Sequence, residues 1–326
     1  MMLARNADSL FWIGRYVERA DDMARILDVA VQQLLEDPTV DPDRAVRQVM
    51  AVLGFTTDDG GGHTVWTLAD QVAYDRTAAG SIVGLISAAR ENARGAREVI
   101  SSEMWECLNA TYNGLRDAER RARRLGPHDF LSYVKERAAM FAGLTDATLS
   151  HDDGYSYLLL GRSIERVDMI VRMLHSRSGD RTSSPSWMSV LIAAGAQDTY
   201  IRAYRGTVDA EHVVEFMLLD RLFPRSVFHS LQVAERYLAE LDHRPDRVGA
   251  QSRALTLLGR ARSSLEFIDP QTLMPNLATH LLDLQVMCQA VSDSISEEHF
   301  HIAPYVSWSD AGPAAEAQQE QEQENA

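Results

Sequence analysis

Ten charged residues, laid out as two copies of one pattern, are the part of this chain that could do chemistry. Gly14-Arg15-Tyr16-Val17-Glu18-Arg19-Ala20-Asp21 returns as Gly161-Arg162-Ser163-Ile164-Glu165-Arg166-Val167-Asp168, at a constant offset of 147 residues. Arg25 and Leu27 are matched in the same way by Arg172 and Leu174. An ungapped match of this kind points to duplication. On a helical wheel of about 100° per residue, Gly14, Glu18, Asp21 and Arg25 share an arc of about 60°, with Arg15, Arg19 and Asp22 beside it. Gly161, Glu165, Asp168 and Arg172 fill the same arc of the second copy, flanked by Arg162 and Arg166. The planar guanidinium fork suits arginine to pairing with both oxygens of a carboxylate.

Three uses of such stripes are open. They could cross-link neighbouring helices and fix their register. They could face each other across a pseudo-twofold axis and line a polar cavity whose arginines bind an anion, such as a carboxylate or phosphate. They could also be a surface ladder of ion pairs, which contributes little. Leu158, Met169 and Met173 lie next to the second stripe, so Glu165, Asp168 and Arg172 are expected inside the protein, where charges must be paired. Glu165 is then the weak candidate for a general acid or base. Gly14 and Gly161 leave room for a helix or ligand to come close.

The elements that must position these residues are helices. Helical periodicity fits 8–36, 43–53, 65–76, 80–124, 128–149, 153–177, 186–204, 209–220, 224–242, 246–266 and 271–300, and strand signals are nearly absent. The expected fold is an all-α bundle of roughly ten helices with a duplicated Glu-Arg helix. One domain is expected over 1–305, in two pseudo-repeat halves of about 1–150 and 151–305. Thr56 to His63 and Ser178 to Pro185 read as breaks. The acidic segment 311–326 has no aromatic residue and reads as a disordered tail.

Composition narrows the function classes. The 326 residues are 45% hydrophobic and carry a formal charge of −15, and four of those charges are glutamates after Gly312. Such a chain is a poor nucleic-acid binder and a poor partner for an anionic membrane. Cys107 and Cys288 have no metal-site spacing, no apolar run would span a bilayer, and a cytoplasmic protein is expected. Lys135 is the one lysine among 32 basic residues. No phosphate-binding loop of the GxxxxGK[ST] type is present, and there is little scope for a lysine nucleophile.

Other candidates are weaker. Glu298 and His301 form one E-x-x-H pair where a di-metal bundle needs two, so no metal and no cofactor are expected. His151-Asp152-Asp153 is more simply a helix start. His63 is a loop histidine. Pro224 reads as the first turn of a helix, with Arg225 placed to reach a ligand. No recognisable catalytic motif occurs.

The run Met2-Leu3-Ala4-Arg5-Asn6-Ala7-Asp8-Ser9-Leu10-Phe11-Trp12-Ile13-Gly14-Arg15-Tyr16-Val17-Glu18-Arg19-Ala20 resembles the opening of the alpha-E domain family. Ala89-Arg90-Glu91-Asn92-Ala93-Arg94, Trp105-Glu106-x-Leu108-Asn109, Gly161 to Arg166 and Phe223-Pro224-Arg225-Ser226 resemble it too. The resemblance covers nearly all of the chain to about residue 305. It implies an all-helical bacterial protein associated with a circularly permuted ATP-grasp ligase and a transglutaminase-like peptidase. The role it implies is an accessory or substrate-presenting component of a peptide- or amide-ligase system, with a peptide or carboxylate as ligand. An enzyme of that pathway using a stripe carboxylate, and a purely structural scaffold, are the alternatives. The family supplies no catalytic residues to carry over.

Overall fold

The computed structural model describes residues 2–56, 62–177, 184–205, 208–242 and 251–300. Among them the regular elements are helices: α1 (Ala4–Glu36), α2 (Pro42–Leu53), α3 (Val65–Ala69), α4 (Ile82–Gly95), α5 (Ser102–Leu125), α6 (His128–Thr148), α7 (Asp153–His175), α8 (Ser184–Ala193), α9 (Gln197–Tyr204), α10 (Ala210–Leu219), α11 (Val227–Leu241), α12 (Arg253–Glu266), α13 (Pro270–Leu273) and α14 (Leu277–Ile295). Helices α3 and α14 run on into five-residue π-type turns, Asp70–Tyr74 and Ser296–Phe300.

The all-α bundle matches the expectation, with more helices because three expected ones break. The stretch 80–124 divides into α4 and α5, and the second begins at Ser101, whose hydroxyl accepts the Met104 amide at 3.1 Å. The stretch 186–204 divides at Gly195, which takes the left-handed φ of 62° that glycine tolerates. The stretch 271–300 divides into α13 and α14. Pro224 precedes its helix: α11 starts at Val227, with Ser226 as the cap. His128 and Asp129 lie inside α6 and do not cap it. The expected tail 311–326, His301, and most of the two expected breaks lie outside the described residues.

Helix α1 has 33 residues and is about 50 Å long. It crosses α7 at the centre of the bundle, and most of both helices is buried. Their surroundings correspond. α1 lies on α4 and α6, while α7 lies on α11 and α14. α4 packs on α5 and α5 on α6, as α11 packs on α12 and α12 on α14. Two glycines set the crossing. A β-carbon on Gly14 would overlap the carbonyl oxygen of Leu158, and one on Gly161 would overlap that of Phe11. Each glycine therefore seats one helix on the backbone of the other.

Candidate functional site

The close crossing places both charged stripes between α1 and α7, and the glutamate of each stripe is bonded by arginine of the other copy. In the second cluster, Glu165 is fully buried. Arg15 Nε donates to its Oε2 at 2.8 Å, and Arg19 Nε donates to its Oε1. Arg15 also donates from Nη1 to Ser292 Oγ at 2.9 Å and lies 5.1 Å from the Trp12 ring centroid. Arg172 Nε donates to Asp168 at 2.8 Å, with Arg19 Nη2 4.0 Å from the same oxygen. Burial and the neighbouring Glu165 push the Asp168 carboxyl above the usual range.

In the first cluster, Arg166 grips Glu18 with both arms of its fork, at 2.6 and 2.9 Å. Arg25 Nε donates to Asp21 at 3.0 Å. A further arginine enters from the turn before α11. Arg225 lies 3.2 Å from Glu18 and donates to both Asp21 and Asp22. Three buried carboxylates thus share its guanidinium. Burial works against charge on Glu18, but Arg166 and Arg225 hold it at about 2. Burial, with Glu18 and Asp21 alongside, pushes Asp22 up to about 8. Burial and the crowding of three carboxyl groups favour the protonated form of Asp22. Their ligand atoms lie within 4.8 Å of one another, as a divalent cation would require, but Arg225 already bonds all three residues.

Of the ten residues singled out by the repeat, nine take part in these contacts. Arg162 is the exception: its Nε is buried with no partner among the described residues. Burial and then Arg166 favour loss of its charge. Arg162 lines a cavity of about 110 Å³ against α6, together with Arg25, Arg166 and Arg225. A second cavity, of about 440 Å³, lies beside the other cluster, lined by Arg19, Arg172, Met23, Met169, Phe55 and Gly80 among others. Glu165 does not line it.

Arg225 and Asp22 were the residues the repeat did not single out. The signal for Arg225 is a second echo. Asp75-Arg76-x-x-x-x-Ser81 and Asp220-Arg221-x-x-x-x-Ser226 are 145 residues apart. Each serine hydroxyl donates to the carbonyl of its aspartate and caps the following helix, at Gly84 and His229 respectively. In this alignment Gly80 stands where Arg225 stands, and in the first echo Met169 stands where Asp22 stands. The Asp22–Arg225 pair is therefore absent from the second cluster as a unit.

The weaker candidates have local duties. Asp152 accepts the Gly154 amide at 2.8 Å as a helix cap, and His151 stacks on Tyr155. Glu298 accepts from Ser294 at 2.8 Å. His63 donates its backbone amide to Asp43 at 2.8 Å. The segments around Arg90 and Trp105 pack together, with Arg90 Nε donating to Asn109 at 2.9 Å and its guanidinium 4.9 Å from the Tyr112 ring centroid.

Comparison with known proteins places the chain in a family. An uncharacterised protein of Mycobacterium bovis is 25% identical over 324 residues, covering 90% of this chain and 36% of the relative. An uncharacterised protein of Mycobacterium tuberculosis is 24% identical over the same shares. The chain thus spans about a third of the length of these relatives. No solved structure matches. The model of Alpha-E, a predicted alpha-helical domain with a conserved ER motif, matches residues 2–300. Glu18-Arg19 and Glu165-Arg166 at the central crossing are two of the Glu-Arg pairs within the matched residues, and the chain belongs to the Alpha-E family.

Proposed function

We propose that this chain is a non-catalytic, accessory component of an ATP-grasp-type peptide- or amide-ligase system. It binds a circularly permuted ATP-grasp protein or presents that protein's acyl or peptide substrate, alongside a transglutaminase-like peptidase. In this reading it works in the cytoplasm and is built of two related halves that meet near residue 150.

The observation that carries the non-catalytic part is the state of the stripe carboxylates. Both oxygens of Glu165 are held by arginines, and none of its surface is exposed. A general base must reach a substrate proton at hydrogen-bond distance. Glu165 would first have to give up two charge-assisted bonds in the centre of the crossing. Arginines, by contrast, face both cavities beside the clusters. That arrangement supports binding of an anionic group. The match to a third of each longer relative supports a module that acts beside other domains. Among the described residues no helix is long and apolar enough to cross a membrane.

The test is co-purification with a circularly permuted ATP-grasp protein from the same genome, followed by its ATP turnover with and without this chain. A stable complex, or a severalfold change in turnover or product, is the expected result. Absence of both a complex and an effect overturns the reading.

A further inference from the structure

We infer that the cavity between α1, α6, α7 and the Arg225 turn is a binding site for one compact oxyanion, a carboxylate or phosphate group, with Arg162 as its principal ligand. This deepens the proposal above by naming what the module would hold, but it rests on charge and space at the cavity rather than on any partner.

The first argument is the balance of charge. Arg25, Arg162, Arg166 and Arg225 all line this space, and the acids lining it are Glu18 and Asp21. Four guanidiniums thus face two carboxylates. Asp22 does not line the space and is bonded to Arg225. Arg166, Arg225 and Arg25 each spend donors on Glu18 or Asp21. Arg162 has no such bond, and its buried Nε has no partner among the described residues. A charged group taken out of water without a counter-charge costs several kcal/mol, so buried charges are ordinarily paired.

The second argument comes from the other copy. Arg15 is the counterpart of Arg162. It bonds Glu165 and also Ser292 on α14. The counterpart of Ser292 is Thr145 on α6, again 147 residues away. Both hydroxyls donate to the carbonyl four residues back, Thr145 to Phe141 and Ser292 to Cys288, each at 2.9 Å. In one copy the arginine closes onto its glutamate and its hydroxyl partner. In the other, Arg225 has taken the place on Glu18, and Arg162 and Thr145 both line a space of about 110 Å³. One water needs roughly 10–15 Å³ measured in this way, so the space can take an oxyanion of a few heavy atoms. Ala139 and Ala142 of α6 line its side, and both are partly or fully exposed, which provides an approach for a carboxylate carried on a longer chain.

The experiment titrates the full chain, exchanged into an anion-poor buffer, separately with acetate and with inorganic phosphate, by calorimetry and thermal melting. The wild type should bind one or both saturably at one site and melt at higher temperature as it does so. Response to acetate alone identifies a carboxylate site, and response to phosphate alone a phosphoryl site. Arg162→Met should weaken binding about tenfold or more, the scale expected when a charge-assisted bond is lost. Without anion it should melt no lower than the wild type, because an uncompensated charge has gone. Ala142→Leu, at a partly exposed position, fills the cavity without touching a charge and should weaken binding as well. The inference is overturned if neither anion binds the wild type, or if neither variant weakens binding. A melting point that falls in Arg162→Met without anion also overturns it. None of these outcomes depends on whether the chain joins a ligase complex.

Discussion

The two charged clusters descend from one pattern and solve the same problem differently. Around Glu165, α1 supplies both arginines and the compensation closes locally, with Ser292 completing Arg15. Around Glu18, a third element intervenes: Arg225 reaches in from the α11 turn, brings Asp22 into the group and leaves the buried Arg162 Nε without a partner among the described residues. Gly80 and Met169 stand at the corresponding positions of the second cluster, which has the larger cavity beside it. A duplicated motif can thus keep its structural duty in both copies while the spare groups differ. Excess arginine lies on the α6 side of the first cluster and at the Arg19–Arg172 cavity of the second.

The comparison breaks most decisively at Arg225. Arg225→Met strands three buried carboxylates, and loss of one partner from a buried ionic group costs roughly 3–5 kcal/mol. Denaturant unfolding should register a loss of that size. A loss below about 1 kcal/mol would mean that Arg166 and Arg25 suffice without it.

The pH dependence sharpens it next. Asp22 titrates near 8 in the fold, against about 4 in an unfolded chain. A carboxyl that holds its proton more tightly when folded contributes stability that is complete below about pH 4 and is lost as pH rises towards 8. Glu18 acts in the opposite sense. Held at about 2, its contribution is present above the ordinary glutamate range and is lost as pH falls towards 2. Asp22→Asn should therefore flatten the decline in stability between pH 5 and 7.5, by up to roughly 1.4 kcal/mol per pH unit. The acid limb below pH 4 should remain. Melting curves across pH decide this, and an unchanged slope in Asp22→Asn would place the titrating proton elsewhere.

The smallest effects come from glycines. Gly14→Ala and Gly161→Ala each push a β-carbon into a facing carbonyl and should cost roughly 1–3 kcal/mol apiece, in equal measure. At Gly80 a β-carbon meets only the Phe55 ring, at 3.7 Å. Gly80→Ala should change stability by less than about 0.5 kcal/mol, as a substitution without a named clash does. Unequal losses at Gly14 and Gly161 in thermal melts would mean that the crossing is not seated evenly on both helices.

The sequence made the crossing helices readable because a charged stripe at helical spacing, present twice, survives any uncertainty about helix ends. The burial of Glu165 followed from Leu158, Met169 and Met173. The pairing did not follow, since a wheel shows which residues share a face and not which face of which helix they meet. Arg225 was harder still. It sits in a turn, its counterpart is a glycine, and its echo survives only as an aspartate and a serine that shape the turn. The break at 96–101 carries no proline, and glycine appears only at Gly95, so alanine-rich periodicity ran across it. The divide at Gly195 was open to reading from the glycine itself.

The swapped pairing of the two helices also bears on how the chain is made. Glu18 and Asp22 leave the ribosome some 200 residues before Arg225. At ordinary synthesis rates of 5–20 residues per second, that is roughly 10–40 s. For most of this interval neither Arg166 nor Arg225 has been made, and of the arginines bonded to Glu18, Asp21 and Asp22 only Arg25, on α1 itself, is present. A nascent chain stopped short of α11 lacks Arg225 and should keep its first helix more open to protease than the full chain does.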